Sequence, residues 1–360
     1  MSAPFAILSD LHYHSWTAFA ETDAKGVNSR LKAIIDATRF AAEKLRDRGG
    51  NAIFLAGDVF HKRGEVAPSV LNPVMDLYRD LIGQGFTIYA IPGNHDLERN
   101  DSERLANSIT ALESVGVTVA HEPMTVELNP DHKVVLFPWY STVNQLIAHM
   151  TSWRDDLVED LADHDAEPHL DAIIHAPIDG VLPHLPSHGL DANALFSTGF
   201  NRVFSGHYHN HKDLGQGVYS IGALTHQSWG DIGSTAGFLI VDGDEVEQHE
   251  TEHPKFVDLT GDESEDEARE KCADNYVRVR IEIEKDSELK EFRDGVLAMG
   301  AKGVSVIPIR KTVVTRSGST ASTPGGVSIE ASIDTYLKGK GASADVHSLA
   351  LEILSEARSA

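Results

Sequence analysis

The stretch FTIYAIPGNHD, residues 86–96, joins an apolar run to a short polar turn. The run Phe86–Ile91 is typical of a buried strand, and Pro92-Gly93 ends it. Three groups that can bind a metal ion or transfer a proton follow directly: Asn94, His95 and Asp96. The stretch therefore indicates a strand that presents reactive side chains at its carboxyl end.

The same pattern, an apolar run followed by metal-type ligands, recurs at four other places. These runs end in the motifs SDLH, GDVFH, IIHAP and SGHYHN. With the first stretch they supply seven oxygen and nitrogen donors: Asp10, His12, Asp58, Asn94, His175, His207 and His209. Ligands bind at the carboxyl ends of strands in α/β sheets, and imidazole mixed with carboxylate suits manganese, zinc or iron. The set predicts two divalent ions with Asp58 bridging them, an arrangement that can clamp a phosphoryl group.

The segments between these runs predict the fold class. Near-continuous apolar strands separated by helical stretches favour an α/β sandwich covered on both faces. The clearest helix is predicted over residues 28–48, with Asn28 or Ser29 as its N-cap and Gly49-Gly50 at its end.

After about residue 255 the pattern changes, which predicts a second, small domain. Residues 261–274 are strongly acidic and indicate a solvated linker. Residues 276–284 alternate as in a strand with one wet face, and a helix over 287–300 and a strand over 304–314 follow. These segments predict a small α+β module.

Composition limits the class of protein. The 360 residues carry a net charge of -24, are 41% hydrophobic and include one cysteine, Cys272. The lone cysteine fits a reducing cytoplasm, and no apolar stretch approaches the roughly 18 residues of a membrane helix. The amino-terminal segment has no basic residue before its apolar run, which argues against a secretory signal. The acidity argues against a generic polyanion binder, because phosphate contacts need Lys and Arg.

The order of the motifs, DxH, GD, GNHD, H and GHxH, resembles the calcineurin-like metallophosphoesterases. The resemblance implies a four-layer α/β sandwich over residues 1–255. It implies one metal held by Asp10, His12, Asp58 and His209, and the other held by Asp58, Asn94, His175 and His207. It further implies that His95 lies beside the leaving group as an acid or charge stabiliser, and that Asp96 orients His95.

A narrower resemblance comes from the segment GDVFHKRGEVAP, residues 57–68. With His61 three residues after Asp58, it is similar to the SbcD-type nucleases, in which this histidine favours exonuclease action. The alternative is a histidine in a surface turn. The SbcD-type nucleases also carry a small capping domain after the core, which residues 256–316 match in place and size.

Six basic residues, four of them in the predicted second domain, are candidates for binding nucleic acid. No Asp or Glu occurs from Gly295 to Ile329, although the whole chain is acidic. Contacts with DNA phosphates are predicted for Lys62, Arg63, Lys302, Arg310, Lys311 and Arg316. The alternative is an ordinary exposed strand and loop.

The leading hypothesis is a DNA exonuclease that uses two Mn²⁺ ions, or Mg²⁺, and also cuts hairpins or single strands. This function implies DNA repair or recombination in the cytoplasm at the nucleoid, together with an SbcC-type ATPase. Two alternatives stay open. One is a metallophosphoesterase that acts on nucleotides or phosphoproteins, and the other is a non-catalytic scaffold.

Two further segments predict contacts between proteins. Apolar stripes over 69–82 and 102–116 indicate helices that form a homodimer, or that face their own sheet. Residues 317–360 predict a flexible connector and two short C-terminal helices. Because such helices are marginal alone, they must dock either on their own chain or on the SbcC-type ATPase.

Overall fold

The computed structural model describes residues 3–99, 106–160, 169–183, 185–283, 287–310, 329–341, 343 and 346–350. The chain forms two compact units, Met1–Lys311 and Thr312–Ala360. Among the helices of the described residues, none combines the length and the apolar character needed to cross a membrane.

Strands and helices alternate through most of the first unit. The strands are β1 (Phe5–Leu8), β2 (Ala52–Ala56), β3 (Thr87–Ile91), β4 (Thr118–Val119), β5 (Met124–Asn129), β6 (His132–Leu136), β7 (His169–His175), β8 (Arg202–Gly206), β9 (Lys212–Asp213), β10 (Val218–Ser220), β11 (Gly237–Asp242), β12 (Glu245–Glu250), β13 (Phe256–Leu259), β14 (Tyr276–Ile283) and β15 (Gly303–Arg310). The α-helices are α1 (Ser29–Asp47), α2 (Pro68–Gly83), α3 (Val143–Asp160), α4 (Ala192–Phe196), α5 (Glu265–Cys272), α6 (Ser287–Ala298) and α7 (Ile329–Gly339). Short 3-10 helices span Ser108–Val115 and Trp229–Asp231.

Two six-stranded sheets form the centre of the first unit. The first has the strand order β12-β11-β1-β2-β3-β4, and the second has the order β5-β6-β7-β8-β10-β9. β1, β2 and β3 run parallel in the first sheet, with Ile53 opposite Ile88. β6, β7 and β8 run parallel in the second, with Ala172 opposite Val203. Each sheet therefore presents the carboxyl ends of three neighbouring strands at one edge.

Three apolar cores hold the layers together. The core between the sheets contains Ile7 and Phe54 from the first sheet and Ile173 and Phe204 from the second. Another core packs α1 and α2 on the outer face of the first sheet, and a third packs α3 and α4 on the outer face of the second. The order helix, sheet, sheet, helix confirms the predicted four-layer α/β sandwich.

The helix predicted over residues 28–48 is α1. The side-chain oxygen of Asn28 accepts hydrogen bonds from the backbone N–H groups of Arg30 and Leu31, as expected of an N-cap. Ile34 and Leu45 lie on its buried side against the first sheet.

A third sheet, β13-β14-β15, is wholly parallel and follows the sandwich in sequence. Val277 and Val279 of β14 pack on Val296 of α6 in its core. Strand β13 was absent from the prediction, and the solvated linker predicted over 261–274 contains helix α5 instead.

The acidic run forms a helix because its first turn is well capped. Ser264 and Glu267 make a capping box, and the acidic residues of the first turn suit the positive end of the helix dipole. The run is solvated, as predicted, but Cys272 at its end is buried in the core of the third sheet.

Both segments predicted to form a dimer contribute to the protein's own core. In α2, Val74, Leu77 and Tyr78 are buried against the first sheet. The described part of 102–116 forms the 3-10 helix Ser108–Val115, which Asn107 caps and the left-handed Gly116 ends, and Ile109 and Leu112 are buried in it. The homodimer stays a prediction.

The second unit contains α7 and a helical run over residues 346–350. Asp334 and Lys338 form an ion pair one turn apart on α7. The predicted connector over 317–328 and the last ten residues of the predicted second helix lie outside the described residues. The division of the chain at residues 255 and 316 stays a prediction.

A buried ionic cluster joins the parallel strands of the second sheet near their amino ends. Asp171 on β7 is fully buried, and its two oxygens accept hydrogen bonds from Arg202 on β8 at 2.9 and 2.8 Å. His132 and His169 donate to the same carboxylate at 2.8 and 2.9 Å. Burial alone would raise the pKa of the Asp171 carboxyl, but these donors outweigh it and hold the pKa well below its usual range.

Asp171→Asn is expected to lower the free energy of unfolding by about 3–5 kcal/mol at neutral pH, because Arg202 is left buried without its carboxylate. The folded-state pKa of Asp171 is depressed. Its contribution is therefore complete above the ordinary carboxyl pKa and is lost as the pH falls below about 4. Urea denaturation of both proteins measures the difference, which should shrink only at the acid end.

Asp36→Asn is the matched control, because Asp36 pairs with Lys32 on an exposed face of α1. It should change the free energy of unfolding by less than about 1 kcal/mol. An Asp171→Asn protein as stable as this control would contradict the stabilising role of the cluster.

Candidate metal centre

Each predicted ligand lies at or just after the carboxyl end of a parallel strand. The first sheet supplies Asp10 and His12 after β1, Asp58 after β2 and Asn94 after β3. The second sheet supplies His175 at the end of β7, and His207 and His209 after β8. The structure brings all seven side chains together at one edge of the sandwich.

Four of these ligands have a backbone conformation that L-residues rarely adopt. Their φ angles are 50° at Asp10, 49° at His12, 50° at Asp58 and 100° at His207. Such conformations cost of order 1–3 kcal/mol each and persist where the surrounding structure holds them, which is common at functional sites.

Two glycines allow the loops to approach one another closely. A Cβ atom at Gly93 would lie 2.2 Å from Oδ1 of Asp58, and one at Gly57 would lie 2.3 Å from Nδ1 of His175. Gly57 also has a φ of 89°, which favours glycine. The glycines of the GD and GNHD motifs are therefore required by the packing of the ligands.

Asp10, His12 and His209 form the first ligand group. One ligand atom of each lies within 4.8 Å of the others. Nε2 of His12 is 4.0 Å from Oδ1 of Asp10 and 3.3 Å from Nε2 of His209.

Asp58, His175 and His207 form the second ligand group, again with ligand atoms within 4.8 Å of one another. Asn94 joins this group, because its Oδ1 lies 3.0 Å from Nδ1 of His207.

Asp58 lies between the two groups. Its Oδ2 is 3.8 Å from Nε2 of His12 and 3.4 Å from Nε2 of His175. Its Oδ1 accepts a hydrogen bond of 2.8 Å from the backbone N–H of His95. One oxygen is thus fixed by the chain and the other faces both groups, as in a carboxylate that two ions can share.

The chemistry of the site fits divalent cations. Asp10 and Asp58 are buried, and within the described ranges no Lys or Arg forms an ion pair with either carboxylate. Oδ1 of Asp10 is buried without a hydrogen-bond partner in the same part of the chain. Leaving such an atom unsatisfied is unfavourable, and a cation would satisfy it and neutralise the carboxylates.

The protonation of the histidines also suits metal binding. Burial strongly lowers the pKa of His12 and lowers the pKa of His207 to about 3, so both rings are neutral at neutral pH. Neutral imidazole is the form that binds a metal. Burial acts on His175 in the same direction, but the charge of Asp58 outweighs it and raises the pKa of His175 to about 9. A metal ion must therefore displace a proton from His175.

Groups outside the predicted set orient two of the ligands. Nδ1 of His209 donates to Oδ1 of Asp231 at 2.8 Å, and Nδ1 of His175 donates to the carbonyl oxygen of Ala56 at 2.8 Å. Each bond leaves Nε2 as the ligating atom. Sequence reasoning missed Asp231, whose local signal is only a capping box with Ser228.

The ring of His95 is held by a backbone carbonyl group. Its Nδ1 donates to the carbonyl oxygen of His61 at 2.6 Å, which leaves Nε2 for proton transfer. Asp96, predicted to orient this ring, is fully buried and accepts hydrogen bonds from three backbone N–H groups: those of Val59, Phe60 and Gly93. Asp96 thus ties the loops after β2 and β3 together while the carbonyl of His61 holds the ring, and the orienting role of Asp96 toward His95 stays a prediction.

His61 lies within the site and not on an outlying turn. Its Nδ1 is 3.4 Å from Nδ1 of His12, and its ring stacks on His95 with centroids 5.6 Å apart. Trp16 packs on it at 4.5 Å between centroids. Burial, followed by the neighbouring His14, lowers the pKa of His61 to about 4, so the ring is neutral at neutral pH.

Of the basic residues predicted to contact DNA, Lys62, Arg63 and Lys302 are exposed. Lys62 pairs with Glu65 at 2.7 Å, and Lys302 pairs with Asp274 at 3.4 Å. Arg63 follows Lys62 in the same turn, and Arg310 is the last residue of β15. Lys311 and Arg316 lie outside the described residues. Contact with DNA by this set stays a prediction.

Comparison with known proteins identifies the class. Residues 3–211, more than half of the chain, match the calcineurin-like phosphoesterase family, so the protein belongs to this family of metal-dependent hydrolases. Over 228 residues the chain is 24% identical to "Exonuclease subunit 1" of Enterobacteria phage T4. The aligned part is 62% of this chain and 60% of the phage protein, so the chain spans about three fifths of that relative.

Solved structures show weaker likenesses. A dimetal phosphatase from Danio rerio is 12% identical, covering 70% of this chain and 96% of that one, with a TM-score of 0.41. The protein TT1561 of Thermus thermophilus is 12% identical, covering 69% and 99%, with a TM-score of 0.43. The nuclease MPE of Pseudomonas putida is 15% identical, covering 68% and 87%, with a TM-score of 0.31. Structural similarity at this level gives no information on the substrate or the mechanism.

Asp58→Ala is expected to remove both ions together, because one carboxylate oxygen faces both ligand groups. Asn94→Ala is expected to weaken only the second site, since its Oδ1 lies 3.0 Å from Nδ1 of His207, a member of the second ligand group. Metal content after dialysis, measured by elemental analysis, distinguishes the variants. Equal retention of metal by the two proteins would contradict the bridging position of Asp58.

His95→Asn is expected to lower turnover on the order of 10²–10⁴-fold and to leave metal content unchanged. The reason is that His95 Nδ1 bonds to a backbone carbonyl, which leaves Nε2 for the phosphoryl group. Hydrolysis of bis-p-nitrophenyl phosphate and metal analysis test this together. His121→Asn, at a histidine paired with Glu113, is the matched control. Loss of metal from His95→Asn would instead identify His95 as a ligand.

Proposed function

We propose that this metallophosphoesterase is a DNA nuclease that uses two divalent ions, with manganese as the expected metal and magnesium as the alternative. The observation that carries the proposal is the position of Asp58 Oδ2 between two groups rich in histidine. Mixed imidazole and carboxylate ligands favour manganese over calcium.

When bound, the two ions supply an activated nucleophile and neutralise charge on a phosphoryl group. The protein's own residues supply orientation and proton transfer. His95, held through its Nδ1–H by the carbonyl of His61, can in its doubly protonated form donate the Nε2 proton to the leaving oxygen. Asp96 fixes the loop that carries His95 by accepting the backbone N–H of Gly93. His61 stacks on His95 and restricts the side from which a phosphodiester can approach.

Two observations support a nucleic-acid substrate. The phage relative is named as an exonuclease. His61, the residue on which the resemblance to SbcD-type nucleases rests, contacts both His12 and His95. The net charge of -24 favours the second candidate, a phosphoesterase for nucleotides or phosphoproteins, because duplex DNA is itself polyanionic.

The proposal includes an SbcC-type ATPase partner, a homodimer and a location at the nucleoid. The phage relative is named as a subunit, which favours an assembly. In the second unit, Tyr336 and Leu349 are large apolar side chains that remain more than half exposed, so they offer a surface for the ATPase.

Release of nucleotides from linear duplex DNA, measured with manganese or magnesium, tests the proposed function. Cyclic nucleotides and a phosphopeptide serve as competing substrates in the same assay. The proposal predicts metal-dependent release from DNA and the opening of hairpin DNA. Turnover of a cyclic nucleotide or phosphopeptide without any release from DNA would establish the second candidate.

His61→Ala is expected to slow nucleotide release from duplex ends on the order of 10²-fold, and to slow hairpin opening much less. The reason is that His61 contacts both His12 and His95, where the end of a strand would enter. His14→Ala is the matched control, because that ring lies 5.1 Å from His61 but does not stack on His95. Equal damage to both activities in His61→Ala would remove the special role of this residue.

A further inference from the structure

Arg30, in the first turn of α1, is a buried cation surrounded by backbone carbonyl groups and aromatic rings. It is 5% exposed, and in the described part of the chain it forms no ion pair with a carboxylate. Its guanidinium donates to the backbone carbonyl oxygens of Gln227 at 2.6 Å and Ala18 at 3.4 Å. Burial of a charge is unfavourable unless other groups compensate it.

Three aromatic rings provide that compensation. The guanidinium carbon lies 4.3 Å from the ring centroid of Trp16, 5.1 Å from that of Phe256 and 5.5 Å from that of Tyr276. Phe256 and Tyr276 begin β13 and β14 of the third sheet, whereas Trp16 lies in the loop that follows His12. Arg30 therefore joins the third sheet to the loop of the metal centre.

One path from Arg30 leads to His61. The ring of Trp16 packs on both the guanidinium and His61, the latter with centroids 4.5 Å apart. The backbone of Trp16 is held from the same helix end, because Nδ2 of Asn28 donates to its carbonyl oxygen at 2.7 Å.

A second path leads to His209. Gln227, whose carbonyl accepts from Arg30, donates its own backbone N–H to Oδ2 of Asp231 at 2.7 Å. Oδ1 of Asp231 accepts from Nδ1 of His209 at 2.8 Å. The side-chain Nε2 of Gln227 also donates to the carbonyl oxygen of Leu11 at 3.4 Å, and Leu11 lies between Asp10 and His12 in the sequence.

The third sheet docks over the turn that carries Asp231. Trp229, two residues before Asp231, packs on Phe256 with centroids 4.8 Å apart. Phe19 stacks on Tyr276 with centroids 5.4 Å apart. The aromatic interface of the third sheet is thus continuous with the groups that orient the first ligand group.

We propose that Arg30 is a positioning residue that couples the docking of the third sheet to the first ligand group, Asp10, His12 and His209, and to His61. It acts by holding Trp16 against His61 and the Gln227–Asp231 turn against His209. The second ligand group lies outside both paths, because His175 is oriented by the carbonyl of Ala56. The inference rests on the two-ion centre of the proposed function.

Manganese titration of the metal-free protein, followed by the spin resonance signal of free Mn²⁺, tests this coupling. Arg30→Met keeps an unbranched apolar side chain and removes the charge and the hydrogen-bond donors. It is expected to weaken one of the two sites about 10–100-fold, as for the loss of other groups that orient a ligand, and to leave the second site nearly unchanged. Lys32→Met, at an exposed cation two residues along α1, is the matched control and should bind as the wild type.

A double-mutant cycle separates positioning from general destabilisation. Arg30→Met and Asp231→Asn should weaken the same site, and together they should weaken it less than the product of their separate effects. Arg30→Lys serves if Arg30→Met does not fold, because it keeps the charge but not the planar stack on Trp16, and should give a smaller loss at the same site.

Equal weakening of both sites, independent effects of Arg30→Met and Asp231→Asn, or unchanged binding would each overturn the inference. Because the readout is metal binding, it does not depend on nuclease activity. A wild-type protein that binds no manganese would overturn the proposed metal centre itself. If the wild type binds two ions and Arg30→Met binds both with unchanged affinity, only the role of Arg30 is overturned.

Discussion

The Asp58 carboxylate is held at a point where ligands from two different sheets converge. Its Oδ1 is fixed by the backbone N–H of His95, while its Oδ2 faces His12 from the first sheet and His175 from the second. The separation of the ligands is therefore set by how the two sheets pack. The apolar core between the sheets, which includes Phe54 and Ile173, therefore helps to fix the distances between the ligands.

This convergence requires an unfavourable local backbone, and the rest of the fold supports it. Asp10, His12, Asp58 and His207 all have positive φ angles, and Gly93 lies so close to Asp58 that a side chain would collide with it. Asp96 holds two of these loops together through three backbone hydrogen bonds. At the other end of the second sheet, away from the predicted ligands, the Asp171–Arg202 pair ties neighbouring strands together. Stability and function are thus placed at opposite ends of the same strands.

The convergence of the predicted ligands could be foreseen from sequence because its signal is local. Each of these residues follows an apolar run, and parallel strands bring such positions to one edge, so the proximity of Asp58 and His175 could be predicted from the sequence, while their binding of a metal stays a prediction. The groups that orient them could not be predicted. Asp231 bonds to His209 only after the chain has returned from β10, and Arg30 packs on Phe256 across most of the sequence.

The other differences between prediction and structure arise where a local sequence pattern was misinterpreted or where the sequence carries no pattern. The acidic run before Cys272 was predicted as a linker because its charge suggested solvation, yet its capping box makes it a helix whose last residue is buried. The partner of the His95 ring is a backbone carbonyl, and a carbonyl leaves no signature in a sequence. Contacts made by backbone atoms, or between distant segments, are the part of this site that side-chain patterns do not encode.

A crystal of the protein soaked in manganese, with anomalous diffraction recorded at the manganese edge, tests whether Asp58 is shared by two ions. Two peaks are expected about 3.5–4 Å apart, one on each side of Oδ2 of Asp58. One peak should lie among Asp10, His12 and His209, and the other among Asn94, His175 and His207. A single peak, or two peaks that do not share Asp58, would contradict a binuclear centre built on this carboxylate.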